Sequence, residues 1–236
     1  MSSSTKGKSL LAISIAAILS LSIVFVGMMP QAIADDDDEE KKLQFSKKPD
    51  FVSGDCIVTS FAIDNLSPEA LDSLDCKMKA WLDKKGDALK YRIKITGMEL
   101  IDSDGSTQDD LNQLHIHKNT LGTTENPRGP HQLNVFREPG FDDADVKIRP
   151  VQGVIKGIWD DSDENLSYGE PDNSHTLTEN LELLCNGEIF SAGHGDVEDR
   201  PGHKAPYIKM LLEPTKNGEK ACKKILDHHD DDDEDD

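Results

Sequence analysis

The chain has 236 residues, with 46 Asp and Glu against 26 Lys and Arg, so its formal charge is -20. A surface that acidic disfavours nucleic acid and anionic lipid as partners and leaves basic proteins, glycans or divalent cations. Four cysteines, none in a CxxC arrangement, argue against a structural zinc site of the usual spacing.

The chain opens with Lys6 and Lys8 before an apolar run from Leu10 to Met29, and then Ala32-Ile33-Ala34 has the small-x-small form of a leader-peptidase site. Residues 1–34 are therefore expected to be a signal peptide or an uncleaved N-terminal anchor, and either one places the rest outside the cytoplasm. Any membrane contact would come only through that segment. Its removal would leave 202 residues with a charge of about -22. Residues 35–50, beginning "DDDDEEKK", are expected to be an unstructured charged linker, and the closing "DHHDDDDEDD" an unstructured tail. An even cysteine count outside the cell points to two disulfides. Sequence alone does not fix the pairing; Cys56–Cys76 and Cys185–Cys222 are favoured because each ties a peripheral segment to its neighbour.

"DCIVTSFAID" reads as a short strand. In "LSPEALDSLDCKMKAWLDKKG", Ser67 is a natural N-cap, Pro68 suits the first helical position and Glu69 meets the positive end. Leu71, Leu74, Met78, Trp81 and Leu82 fall on one helical stripe, so a helix is expected over 68–85, stopping at Gly86. Residues 51–87 then form a strand-plus-helix extension.

From residue 88 the period becomes two. "ALKYRIKIT" alternates Leu89, Tyr91, Ile93 and Ile95 with charged residues, the pattern of a half-buried strand. "LHIHK", "LNVFR", "VKIRPVQGVIKGIW", "GEIFSAGH" and "YIKMLLEP" are further strand candidates between Gly-, Pro- and Asn-rich turns. "SHTLTENLELLCNG", capped at Thr176 or Thr178, suits a short helix ending at Gly187. Many short strands with few helices imply a mainly β fold, an antiparallel sandwich or small barrel. Residues 213–236 form a C-terminal segment with the acidic tail.

In "LHIHK" the strand period sends His115 and His117 to one face, with Leu114 and Ile116 on the other. Two imidazoles at that spacing begin a metal site and need partners, for which His131, His175, His194 and His203 are available. General acid–base chemistry is the other use of such a pair, but no nucleophile stands beside it. Hydrogen bonding at a strand–loop junction is the plainest reading. Two acidic loops invite calcium: Asp102, Asp104, Asp109 and Asp110 around Gly105, and Asp160, Asp161, Asp163 and Glu164. The first lacks the closing glutamate of an EF-hand, and solvated turns explain both loops more simply.

His115-Ile116-His117, Gly122, Gly129-Pro130 and the following Leu133, Val135 and Phe136 resemble the CHRD (chordin-type) domain found in secreted microbial proteins. The resemblance runs over roughly 88–212 and takes in Gly97, Gly153, Leu181, Leu184, Gly187, Phe190 and His194. It departs at His131, where the family usually has an apolar residue, and after Pro201-Gly202, where the family's glutamate and arginine are absent. It implies an antiparallel β-sandwich, immunoglobulin-like or superoxide-dismutase-like, serving as a non-enzymatic extracellular binding or structural module. By analogy with the dismutase-like fold, His115, His117 and His194 would hold copper or zinc.

Overall fold

The computed structural model describes residues 43–100, 110–136, 145–163, 176–195 and 206–232; for Asp110 and residues 228–232 only the backbone is described. The expected leader, the first acidic loop, His175 and His203 lie outside these residues. Among the described residues, no helix is long and apolar enough to cross a membrane.

The strands are β1 (Phe51–Ser53), β2 (Ile57–Val58), β3 (Asp75–Leu82), β4 (Ala88–Thr96), β5 (Glu99–Leu100), β6 (Asp110–Leu111), β7 (Gln113–Lys118), β8 (His131–Phe136), β9 (Lys147–Arg149), β10 (Val154–Asp160), β11 (Ile189–His194) and β12 (Pro206–Pro214). The helices are α1 (Ser60–Asn65), α2 (Pro68–Ser73), α3 (Leu177–Cys185) and α4 (Lys216–Asp232). One antiparallel path runs β8-β7-β11-β12-β1-β3-β4-β10-β9, with β2 also paired to β12, while β5 and β6 form a small parallel pair. The mainly antiparallel β architecture is thus as expected. The strands do not divide clearly into the two stacked layers of a sandwich; they form a single sheet that curls into a half-barrel.

One large apolar cluster forms the core. Trp159, Tyr91, Tyr207, Phe51, Phe136 and Met78 are among its largest fully buried side chains. β4 follows the alternation read from its sequence, burying Leu89, Tyr91, Ile93 and Ile95 while Arg92 and Lys94 face solvent.

The helix expected over 68–85 is corrected. α2 begins as predicted, with Ser67 accepting from the Ala70 N–H and Pro68 in the first turn, but it ends at Ser73 and β3 follows. "DCKMKAWL" satisfies both periods. As a helix it would offer a narrow apolar stripe; as a strand it buries Cys76, Met78, Ala80 and Leu82 together and turns Asp75, Lys77 and Lys79 outward. Pairing over its whole length with β4, and the Cys56–Cys76 disulfide, favour the strand. Gly86 is therefore a hairpin residue between β3 and β4, held at φ 86°, which a side chain rarely adopts. β1 and β3 lie in the middle of the sheet, so residues 51–87 are integral to it.

Both favoured disulfides are present, Cys56–Cys76 and Cys185–Cys222, and no free cysteine remains. They fit an oxidising compartment outside the cytoplasm. Two charged segments are more ordered than their composition suggested. Asp50, in the expected linker, is buried and accepts from the Leu82 N–H, and α4 carries the backbone of the acidic tail on to Asp232.

Candidate metal centre

β7 lies between β8 and β11. The register pairs His117 with Phe190 and His115 with Ala192, and Ala192 in turn with Lys209 of β12. Directly opposed residues share a face, so the imidazoles, Phe190, Ala192 and Lys209 occupy the side of the sheet opposite Leu114 and Ile116. Phe190, Ala192 and Leu211 form a small apolar cluster there, separate from the main core.

The β7–β8 pairing carries two irregularities, between Leu114 and His115 and between Ile116 and His117. Regular pairing from His117–His131 would set Leu133 opposite His115. The shifts instead set Asn134 there and return Leu133 to Ile116 on the core face. His131 thereby joins the histidine face while its apolar neighbours stay in the core.

His115, His117 and His194 are all buried and each offers a ring nitrogen, with the three nitrogens within 4.8 Å of one another. Ring centroids stand 5.8 Å apart for His115–His117, 5.0 Å for His115–His194 and 6.4 Å for His117–His194. Among the described residues this is the one group of three such side chains that could hold a metal. His131 packs against the trio, with its ring 4.1 Å from His115 and 4.2 Å from His117. Its Nε2 lies 3.1 Å from His115 Nδ1, a hydrogen bond that orients the His115 ring.

The loop after β7 covers this face. Its Gly129 carbonyl accepts from His117 Nδ1 at 3.0 Å. A carbonyl can only accept, so Nδ1 carries the proton and Nε2 keeps a lone pair. That Nε2 is buried and has no hydrogen-bond partner. The ring itself stacks on Phe190, 4.9 Å away and 14° from parallel. Gly129 can be nothing larger, because a Cβ would stand 1.7 Å from the Lys118 carbonyl oxygen. Lys209 ties the loop down, donating to Asn126 Oδ1 at 3.0 Å and the Pro127 carbonyl at 2.8 Å.

A cleft of about 640 Å³ opens onto the site, lined by His117, His194, Phe190, Lys209, Arg128 and Phe61 among others. His115 and His131 do not line it. A metal on the trio would therefore be reached from the His117–His194 side.

Burial and the positive charge that His131 can carry hold the His117 imidazole well below its ordinary basicity. His131 is pushed from 6.5 down to about 4, by burial first and His194 second. Neutral imidazole is the metal-binding form. The stability of the metal-free protein follows from the same shifts. Between pH 6.5 and about 4 the unfolded chain binds more protons at these positions than the folded one, so stability must fall as pH drops through that window. Below about 4, His131 has nothing further to lose. Thermal unfolding of metal-free protein from pH 7.5 to 4 should show a falling midpoint; a flat or rising one would contradict the burial of neutral imidazoles.

Of the second acidic loop, Glu164 lies outside the described residues and the three aspartates are engaged otherwise. Asp160 accepts from the Ser162 N–H and hydroxyl, Asp161 accepts from the Thr178 N–H and hydroxyl at the start of α3, and Asp163 accepts from the Asp160 N–H. These carboxylates close a turn and anchor a helix. Thr176, one of the two expected caps, accepts from the Glu179 N–H. Lys209 was not anticipated from sequence. Its signal was a lysine set inside the apolar strand "YIKMLL", where period two assigns it to a solvent face that proves to be covered.

No family, characterised protein or solved structure gives a match to this chain. The site therefore stands on its own geometry.

Proposed function

We propose that this protein binds copper or zinc outside the cytoplasm, on a CHRD-like β scaffold, through His115, His117 and His194. The observation that carries the reading is the convergence of three buried imidazole nitrogens within 4.8 Å, from β7 and β11, strands far apart in the sequence. Metal–nitrogen bonds of about 2.0–2.1 Å place ligand nitrogens roughly 3.4 Å apart. Small ring rotations close the remaining gap. With every cysteine in a disulfide, thiolate ligands are absent, and an all-imidazole set suits copper or zinc rather than calcium. The resemblance to secreted CHRD domains and the paired disulfides support the location. A metal-free, non-enzymatic binding or structural module is the second reading, supported by the same resemblance.

The test is elemental analysis of protein purified without an affinity tag. One copper or zinc per chain is expected, and loss of the metal to a chelator should lower the unfolding midpoint. Metal-free protein whose stability is indifferent to chelator and to added copper or zinc would overturn the reading.

A further inference from the structure

The other half of the sheet carries a charge pattern opposite to that of the chain. In the register of β3, β4, β10 and β9, Lys79 stands opposite Arg92, Arg92 opposite Lys156, and Lys156 opposite Lys147. Four cations thus form one row across four strands. A second row places Lys77 opposite Lys94, which faces Val154 and then Arg149. Lys90 extends the patch beside Trp81. All of these cations are exposed except Lys90, which is half-buried. Like charges directly opposed on a sheet destabilise it, and a chain of net charge -20 has acidic residues to spare for neutralising them. Yet the central row makes no ion pair among the described residues. Of the described carboxylates near this face, Asp75 pairs with Lys77 at 3.6 Å, Asp145 lines the groove among these cations, Asp160 is taken up by Ser162, and Glu213 is two strands away from Lys79.

The patch is also shaped. A groove of about 380 Å³ is lined by Trp81, Lys90, Arg92, Lys147 and Lys156, with Asp145 as its one carboxylate among the described residues. Lys90 Nζ sits 5.1 Å from the Trp81 ring and 4.5 Å from that of Phe45, so an aromatic shelf adjoins the cations. Strand spacing of about 4.8 Å and a repeat of roughly 6.8 Å between same-face residues set the cations in a regular array. A regular array of cations with an aromatic shelf suits a linear polymer of charged sugar rings, whose apolar C–H faces stack on the indole while their anionic groups meet lysine and arginine.

We propose that the outward face of β3, β4, β10 and β9 docks an anionic polysaccharide. The disulfides that favour an extracellular setting make such a polymer an accessible partner. Among the described residues the row has no carboxylate partner, and a bound polyanion would neutralise it. This surface is built from different strands than the histidine site, and it stands or falls independently of metal.

Heparin is the probe, with the full disulfide-bonded chain. Binding is expected at low ionic strength in spite of the net negative charge, weakening steadily with salt. The triple variant Lys79→Gln, Arg92→Gln, Lys156→Gln should weaken it by about tenfold or more while its unfolding midpoint stays level or rises, since repulsion has been removed. Trp81→Ala should weaken heparin binding while leaving any residual binding to poly-glutamate unchanged. The proposal is overturned by heparin binding that survives the triple substitution. It is overturned equally by duplex DNA or poly-glutamate binding as tightly as heparin. If the full chain fails to bind until residues 35–40 are neutralised, the chain's own acidic segment is the occupant and the proposal is wrong.

Discussion

Replacing His117 with glutamine is expected to abolish stoichiometric metal binding and to lower affinity by more than about a hundredfold, beyond the 10–100-fold range typical of groups that only orient a ligand. The side chain is chosen because its chemistry is the most constrained of the trio. Its Nδ1–H is committed to the Gly129 carbonyl, its ring is stacked on Phe190, and its Nε2 is buried without a partner at the cleft. A buried acceptor left open in this way costs free energy, typically about 1–3 kcal/mol, unless something binds it. Glutamine keeps polarity and bulk but cannot supply an imidazole nitrogen at the same place. The companion variant His131→Ala separates binding from orientation. His131 holds the His115 ring through the 3.1 Å contact with Nδ1, so its loss should weaken metal by about 10–100-fold while leaving one metal per chain at saturation. Titration of the metal-free proteins with copper and with zinc, read by calorimetry, distinguishes the two. Equal affinities in His117→Gln and the parent protein would remove His117 from the site.

How much of this was legible in the sequence depended on whether one period could be read at a time. β4 was visible because one face is wet, so its charged residues mark every second position. β7, β11 and β12 are buried on both faces, and there alternation ceases to report exposure: His115, His117 and Lys209 sit at polar positions of strands covered on both sides. Their type was readable, their burial was not. The 68–85 segment failed for another reason. Its apolar residues satisfy spacings of both two and three to four, and only the partner strand decides between them. The trio could be proposed from spacing and resemblance, since β7 and β11 each present alternate residues to the same side. His131 was harder. Its place depends on two register shifts that no local pattern announces, and a residue that looked like a departure from a family pattern packs against the trio. The basic face was hidden by net charge, which averages over surfaces that the fold separates.

Breaking the Cys185–Cys222 bond, by replacing both residues with serine, is expected to cost about 4 kcal/mol of stability on the chain-entropy estimate for a loop of this size; the bond spans 37 residues. The number follows from where the bond lies. It joins the last turn of α3 to α4, and α4 has little else to hold it: Cys222 and Ile225 are its buried apolar residues among those described, and its charged residues are exposed. The start of α4 is well made, since the Thr215 hydroxyl accepts from the Asn217 and Gly218 N–H groups. Without the disulfide α4 should therefore lose helix as well as stability. Helical circular dichroism and urea unfolding of the double-serine variant read both effects. Metal uptake should persist, because the histidines come from β7, β8 and β11 while α4 packs on α3 and β12. A variant that lost metal together with its helix would show that the two ends of the sheet are coupled, and the independence of the site from α4 would have to be given up.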